Sequence, residues 1–439
     1  MKTLVYGNHI KSQIAAAKAL ENEGIIKIVV LIMKDRGADV NMGDFRRLNF
    51  RKNSYRGYNK DIYDDVFEET ISTFLDMFSR IPLAHNLSYQ EGVHVFNYYF
   101  DYLSALLIEN QIELLLFFTL PHFGSDYLLV VLAKYLGIDM VLMCQSLVPN
   151  RFFYVTNLED FGTFHTAKMT FNASYMTIPH EIKKTYFYMK NIPIANRSCH
   201  YLLMNDLRKY ILKKRSRKTF WRCMKSYIEC LTFKKNYKKY KENQVDLNKK
   251  YVYFPLHLQP ELTTSTLGGR YSDQLLALEM LSSMIPDDWL IYVKENPKQL
   301  GLCRGSFFFM RLEKIKKAVY ISKSFDTFAL TESAQFVATI TGSVGWEAIS
   351  SGKQTVVFGQ AWYNSLPGVI KYNHRLNIED VLSCKFSHDE LEQAYNELIK
   401  KTAIGVVDSD YEIVCNGYND VDNIQNLKES LKKIIENCL

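Results

Sequence analysis

The stretch IELLLFF, at Ile112–Phe118, limits the available folds more than any other. A nearly continuous apolar run suits a parallel strand covered on both faces, and parallel strands need crossover connections. The neighbouring sequence supplies them. Thr3–Tyr6 reads as a short strand, Gly7-Asn8-His9 as a turn, and a helix-like run continues to Leu20. Gly24 stops it before the β-branched strand Ile25–Met33. Helical spacing recurs at Phe67–Phe78 and Val93–Asn110. Beyond the turn Pro121–Asp126, Tyr127–Leu136 reads as a helix and Met140–Cys144 as a strand. A second alternating block opens with YVYFP at Tyr251–Pro255. Its strands are Trp289–Val293, Ala318–Ile321, Phe336–Ile340 and Gln354–Phe358; helices are expected at Gln274–Met284, Asp326–Glu332 and Trp346–Ser351. Terminal helices follow at Ser387–Lys400 and Asn423–Asn437.

At 439 residues the chain is too long for one ordinary core. Its 47% hydrophobic and 23% charged residues are a globular balance. The expectation is therefore an α/β protein with two Rossmann-like domains facing across a cleft. An N-terminal domain spans 1–200, a basic aromatic linker 201–248, a C-terminal domain 249–420, and a last helix 421–439. No run of about 18 apolar residues predicts a membrane span. The opening MKTLVYGNHIKSQ lacks the apolar core of a signal peptide. The cysteines are scattered without a C-x-x-C pair, which reads as reduced thiols in a cytoplasmic protein.

Net charge is +7, concentrated between Arg208 and Lys241, where fourteen cations face Glu229 alone. Tyr210, Phe220, Trp221, Tyr227, Phe233, Tyr237 and Tyr240 are interleaved with them. That mixture suits the inner, anionic face of a membrane, met peripherally. Single-stranded nucleic acid is the other ligand of such a mixture. No nucleic-acid-binding fold signature accompanies it, so none is expected. A solvated helical linker explains the same residues without a partner.

In doubly wound sheets ligands bind beyond the carboxyl ends of the strands, so post-strand loops are the places to search. Thr341-Gly342-Ser343-Val344-Gly345-Trp346-Glu347 leaves a strand and opens a helix, a position that suits phosphate. Ser343 either caps that helix or binds a phosphate oxygen, and Glu347 lies one turn in. Lys294-Glu295-Asn296-Pro297 follows another strand, with Lys294 a phosphate candidate and Glu295 a ribose candidate. Pro297 forces a sharp turn at Asn296. The loop after Pro255 gathers His257, Gln259, Glu261, four hydroxyls at 263–266 and Arg270. Of these, Gln259, Thr263 and Thr264 are candidates for phosphate or sugar oxygens. In the first block His122, Ser125 and Asp126 share one turn, Gln145 follows a strand, and Glu159-Asp160 lie among aromatics. Asp126, Glu159 and Asp160 are placed to serve as a base or charge stabiliser. Caps and surface ion pairs are the plain alternative for each. P-loop, G-x-G-x-x-G and H-E-x-x-H motifs are missing.

The segments YFPLHLQPELTT, VKENP and TITGSVGWEAISSGKQTVVFGQAWY together resemble the C-terminal half of bacterial capsule polysaccharide biosynthesis proteins. That family includes Kdo-transferase-type glycosyltransferases of the two-domain GT-B fold. PHFGSDYLL, QSLVPNRFFY and LEDFG are similar to segments of related surface-polysaccharide proteins. The resemblance spans most of residues 1–375. It implies a nucleotide-sugar donor, CMP-linked or otherwise, as co-substrate, with no metal or other cofactor. The donor would be held by Gln259, Thr263, Thr264, Lys294, Glu295, Gly342, Ser343, Gly345 and Glu347. A glycan or lipid-linked acceptor would enter beside Gly7, Asn8 and Gln145. Asp126 is then the first catalytic candidate, with Glu159, Asp160 and His122 behind it. Asn296 stands where the family has His, which leaves phosphate contact there in question. Two alternatives stay open: a polyol-phosphate transferase of the teichoic-acid type, and a non-catalytic glycan- or nucleotide-binding component.

Overall fold

The computed structural model describes residues 1–7, 11–34, 37–46, 60–81, 87–179, 217–240, 245–299, 301, 303–408, 415 and 417–439. The chain divides into two compact units, Met1–Met176 with Tyr395–Leu439, and Thr177–Ala394.

Among the described residues the first unit holds a seven-stranded sheet in the order β13-β6-β5-β4-β1-β2-β3. The strands are β1 (Lys2–Tyr6), β2 (Lys27–Met33), β3 (Val40–Asn41), β4 (Leu114–Phe117), β5 (Asp139–Gln145), β6 (Arg151–Val155) and β13 (Ala403–Ile404). β3 through β5 run parallel, and β6 and β13 add antiparallel edge pairings. All four residues of β4 are buried, as its apolar run requires. The helices are α1 (Lys11–Asn22), α2 (Met42–Phe45), α3 (Lys60–Phe78), α4 (Tyr89–Glu109) and α5 (Gly124–Tyr135). A reciprocal Ser88–Glu91 capping box starts α4. α3 and α4 both pack on α5.

The second unit holds a six-stranded parallel sheet in the order β12-β11-β10-β7-β8-β9. Its strands are β7 (Tyr251–Pro255), β8 (Leu290–Lys294), β9 (Ala318–Ile321), β10 (Phe336–Thr339), β11 (Thr355–Val357) and β12 (Val369–Lys371). Alternation along YVYFP sorts two cores. Val252 and Phe254 join Leu278, Leu281 and Trp289 on one face. Tyr251 and Tyr253 join Tyr292, Leu330 and Ala348 on the other. The helices, in order, are α6 (Arg217–Tyr240), α7 (Leu262–Ser265), α8 (Gln274–Met284), α9 (Ser306–Lys314), α10 (Thr327–Ser333), α11 (Ser343–Ser350) and α12 (Ile378–Ser383). α13 (His388–Lys400) and α14 (Asp420–Cys438) complete the chain.

The basic segment is helical over Arg217–Tyr240, and residues 208–216 and 241 lie outside the described ones. α6 is docked: Phe233 enters the core, beside Tyr237 at 5.9 Å between ring centroids. Cys230 is disulfide-bonded, which departs from the expectation of reduced thiols throughout. No helix among the described residues is long and apolar enough to cross a membrane.

The units differ from the sequence boundaries in where the C-terminal segment goes. β13 pairs with β6, and α14 packs on α1, so 395–439 completes the first unit. A two-residue strand has no periodic signature, and its pairing is set by distant partners. Leu427, Leu431 and Ile434 on α14 are fully buried there. Leu431→Ala should therefore destabilise the first unit by about 2–5 kcal/mol. Hydrogen exchange should show protection lost across β1, β4 and β5; loss confined to α14 would refute this placement.

Candidate functional site

In the second unit the chain starts at β7, proceeds to β8 and β9 on one side, then returns to β10, β11 and β12 on the other. The connections therefore part to either side between β7 and β10, the switch point where ligands of such sheets bind. Two loops meet there. His257 Nε2 lies 3.0 Å from the Thr339 hydroxyl, which also accepts the Gly342 N–H at 3.1 Å. Thr341 donates to the Thr263 carbonyl at 2.7 Å. The His257 N–H donates to Gln274 Oε1 at 2.7 Å, and its carbonyl accepts from Gln274 Nε2 at 3.1 Å. A Cβ on Gly342 would lie 2.8 Å from the Thr339 hydroxyl and 3.2 Å from the His257 ring, so only glycine fits. Gly345 is likewise closed by Tyr363, whose hydroxyl donates to the Gly342 carbonyl.

α11 opens from this floor. Its N-cap is Gly342, which provides no side-chain cap, and its first turn carries no acidic residue. Ser343 is its half-buried first residue, not its cap. Lys294, at the end of β8, donates to the Phe325 carbonyl and the Thr327 hydroxyl at 2.6 Å each. Burial lowers its pKa, against the fields of Asp326 and Glu347. Glu347 thus lies within electrostatic reach of Lys294.

Other candidates in this unit have structural work. Arg304, with no solvent exposure, donates from Nε to Glu295 Oε2 at 2.7 Å and from Nη2 to Glu295 Oε1 at 3.3 Å. Its remaining bonds reach Gln259 Oε1 at 2.7 Å, the Cys303 carbonyl at 3.2 Å and the His257 carbonyl at 3.2 Å. Tyr320 adds a donor to Glu295 at 3.0 Å, and burial raises the Tyr320 pKa far above its usual range. The Asn296 N–H donates to Glu295 at 2.8 Å, while Asn296 Oδ1 accepts from Lys298. Glu295 is therefore the partner of a buried guanidinium. Gln259 is held by Arg304 and the Ser272 carbonyl. The Thr263 and Thr264 hydroxyls are turned onto Glu261 and the Leu258 carbonyl, where they set the start of α7.

The first unit repeats the topology. β1 leads to β2 and β3 on one side, and β4, β5 and β6 lie on the other. At the equivalent switch, Asp126 is fully buried. Its Oδ1 accepts from Tyr6 at 2.8 Å and Ser125 at 3.2 Å; its Oδ2 accepts from Arg46 at 3.3 Å and the His122 N–H at 3.4 Å. Four donors hold Asp126 as a buried ion-pair partner. His122 directs Nδ1 to the Leu120 carbonyl at 2.6 Å and the Thr119 hydroxyl at 3.1 Å. Glu159 is exposed and paired with Lys134 at 2.6 Å. Asp160 accepts from Thr163 at 2.7 Å and from the His165 and Thr166 N–H groups at 2.8 Å each, closing a turn. Neither acid belongs to the switch-point cluster. Gln145 bridges the Arg151 carbonyl and the Val407 N–H at 2.8 Å each. Gly7 ends β1 against Ile14, and Asn8 lies outside the described residues. Among the described residues no group of three or more His, Cys, Asp or Glu is arranged to hold a metal ion.

The profile of one protein family, described as capsule polysaccharide biosynthesis protein, matches residues 160–404, more than half of the chain. The chain belongs to this family. No curated protein matches it. Among solved structures it is similar to KpsC from Thermosulfurimonas dismutans, a beta Kdo 2,7 transferase. That pair shares 11% identity over 98% of this chain and 99% of the other, with a TM-score of 0.36. A beta Kdo 2,4 transferase of the same organism matches at 11% identity over 69% and 84%, with a TM-score of 0.30. S. aureus MnaA with UDP matches at 12% identity over 97% and 98%, with a TM-score of 0.24.

Several site-forming residues of this capsule biosynthesis protein escape a reading of the sequence. Arg304 sits in GLCRG without a motif, and Tyr6 and Arg46 are far along the chain from Asp126. Only His257 carried a signal, through its place in a polar post-strand loop.

Two outcomes follow from the buried groups. Glu295→Ala should cost about 3–5 kcal/mol by stranding the Arg304 charge. A ribose-binding Glu295 would instead lose nucleotide affinity with chemical-denaturation stability intact. Burial lowers the His257 pKa to about 4, with the Glu261 field opposing and the Arg304 field assisting. The native state thus keeps His257 neutral while the unfolded chain takes up a proton near pH 6.5. The stability from this group is complete above pH 6.5 and falls by about 3 kcal/mol on acidification to pH 4. Urea unfolding of wild type and His257→Gln over that range checks it; identical slopes would refute it.

Proposed function

We propose that this protein transfers a sugar from a nucleotide-activated donor to a glycan or glycolipid acceptor in capsule or surface-polysaccharide assembly. The observation that carries this reading is a contrast between two equivalent helix starts. α5 and α11 each follow the strand beside the first strand of their sheet. Neither N-cap residue supplies a side-chain bond. α5 has Asp126 in its first turn, so an internal carboxylate already answers its positive end. α11 has no acid there, and its N-terminal dipole is open to an external anion. The donor phosphate belongs at α11, over the floor of Gly342, His257 and Thr339. As the glycosidic bond breaks, charge grows on the leaving phosphate, and preorganised amides stabilise it without reorganising. Lys294 and Glu347 flank that position. A CMP-linked donor fits the family resemblance.

The acceptor side is assigned to the first unit. Peripheral contact with an anionic membrane is assigned to the basic segment. On α6, Lys234, Lys235 and Lys238 are exposed, as are Ile228 and Leu231, while Phe233 faces the core. Cations near such a surface contribute roughly 1 kcal/mol each.

A thermal-shift screen of CMP, CDP, UDP and GDP tests the donor site. A cognate nucleotide at 100 times its Kd should stabilise the fold by about 2.7 kcal/mol. Gly342→Ala, which crowds Thr339 and His257, should weaken that nucleotide about tenfold or more, a loss of roughly 1.4 kcal/mol. No shift with any nucleotide would refute the reading. A phosphodiester in the product would replace glycosyl transfer with polyol-phosphate transfer.

A further inference from the structure

α9, with the sequence SFFFMRLEK, carries large apolar side chains on two faces. Phe309 and Leu312 are buried in the core of the second unit, which accounts for one face. On the other, Phe307 is 80% exposed and Met310 54%. Scattered exposed apolar residues need no explanation, but these have neighbours of the same kind. α6 lies alongside: the Phe233 and Phe309 ring centroids are 6.5 Å apart, and Lys239 meets Glu313 at 2.7 Å. Gly301, just before α9, is pressed onto the α6 backbone, where a Cβ would lie 2.5 Å from the Glu229 carbonyl. On α6, Ile228 is 56% exposed and Leu231 44%.

Helical spacing puts these side chains together. Phe307, Met310 and Lys314 recur at i, i+3 and i+7 on α9, and Ile228, Leu231, Lys235 and Lys238 recur at i, i+3, i+7 and i+10 on α6. Lys234, Lys235, Lys238, Lys314 and Lys316 are all exposed, and no acid among the described residues pairs with them. The surface therefore mixes bare apolar side chains with bare cations. An anionic bilayer complements both: its headgroups take the lysines, and the boundary with its acyl chains takes the apolar groups. Single-stranded nucleic acid would use the cations, but its bases stack on aromatic rings, which leaves Ile228, Leu231 and Met310 without a role. A second copy would bring the same lysines against these.

We propose that α6 and α9 together form a docking face for an anionic membrane, with Phe307 and Met310 as the side chains that enter the lipid. The inference builds on the peripheral contact assigned above to the basic segment, and adds α9, which lies outside that segment. It does not depend on the transfer chemistry. Phe233, Phe309 and Leu312 pack on one face of the second sheet, while Val344 and Ala348 of α11 pack on the other. Docking through α6 and α9 therefore involves the face of the sheet opposite the helix start assigned to the donor phosphate.

Co-sedimentation of the full chain with vesicles tests this, using phosphatidylcholine alone and an equimolar mixture with phosphatidylglycerol. The protein should sediment with the anionic vesicles and not with the neutral ones. Phe307→Ser combined with Met310→Ser should weaken that partition about tenfold or more, as loss of two buried apolar side chains does. Both positions are exposed, so the melting temperature without vesicles should stay at the wild-type value. Lys234→Gln, Lys235→Gln and Lys238→Gln together should weaken binding and flatten its dependence on salt. Wild-type partition of the Phe307/Met310 variant would leave α6 acting alone and overturn the role of α9. No partition onto anionic vesicles overturns the docking face, whether the protein instead self-associates through these residues or retains a single-stranded oligonucleotide. Nucleotide-induced thermal shifts of the Phe307/Met310 variant should match wild type. Vesicle binding without any nucleotide shift would sink the transferase reading and leave the docking face standing.

Discussion

Arg304 carries a full charge into a place water does not reach, and Glu295 meets it at 2.7 Å. A buried pair is a poor source of net stability, but breaking one is severe, so the surrounding chain must keep the two together. That demand organises the loops after β7, β8 and β10. Arg304 also binds the His257 carbonyl and the Gln259 side chain, so the loop after β7 is fixed to the loop after β8. The fixed His257 ring then meets Thr339, and Thr339 receives the Gly342 amide that opens α11. The position of the helix N-terminus is thus set by a guanidinium that never touches it.

The first unit solves the same topological problem with the partners exchanged. There the carboxylate, Asp126, sits on the helix and the guanidinium comes from outside the sheet, on Arg46. An internal anion at the helix start removes the reason for an external one. Two similar sheets therefore differ at equivalent helix starts: α5 carries an acid in its first turn and α11 carries none.

Much of this architecture was legible in the sequence. IELLLFF yielded β4, YVYFP yielded β7, and the glycine-bounded segment after Ile340 yielded α11, because apolar periodicity and helix-start chemistry are local. The ion pairs were not legible. Tyr6 and Asp126 are 120 residues apart, and Gln259 and Arg304 are 45 apart. Nothing local distinguishes an Arg that will be buried from one that will be solvated. The hydroxyls of Thr263 and Thr264 misled for a related reason: short polar side chains satisfy nearby backbone as readily as a ligand. The return of β13 and α14 to the first unit was equally hidden, since a two-residue strand is defined only by its partner.

The carboxylates decide where the chemistry can lie. A base that accepts a proton from an acceptor hydroxyl needs an oxygen free to approach it. Asp126 has both oxygens engaged by four donors, Asp160 closes its own turn, and Glu159 pairs with Lys134. To act as a base, Asp126 would have to release Arg46 and Tyr6 and leave that guanidinium part-buried. That exchange works against the energetics that place it there. On the transferase reading, then, rate enhancement rests first on departure of the nucleotide phosphate at α11, where electrostatic stabilisation is preorganised.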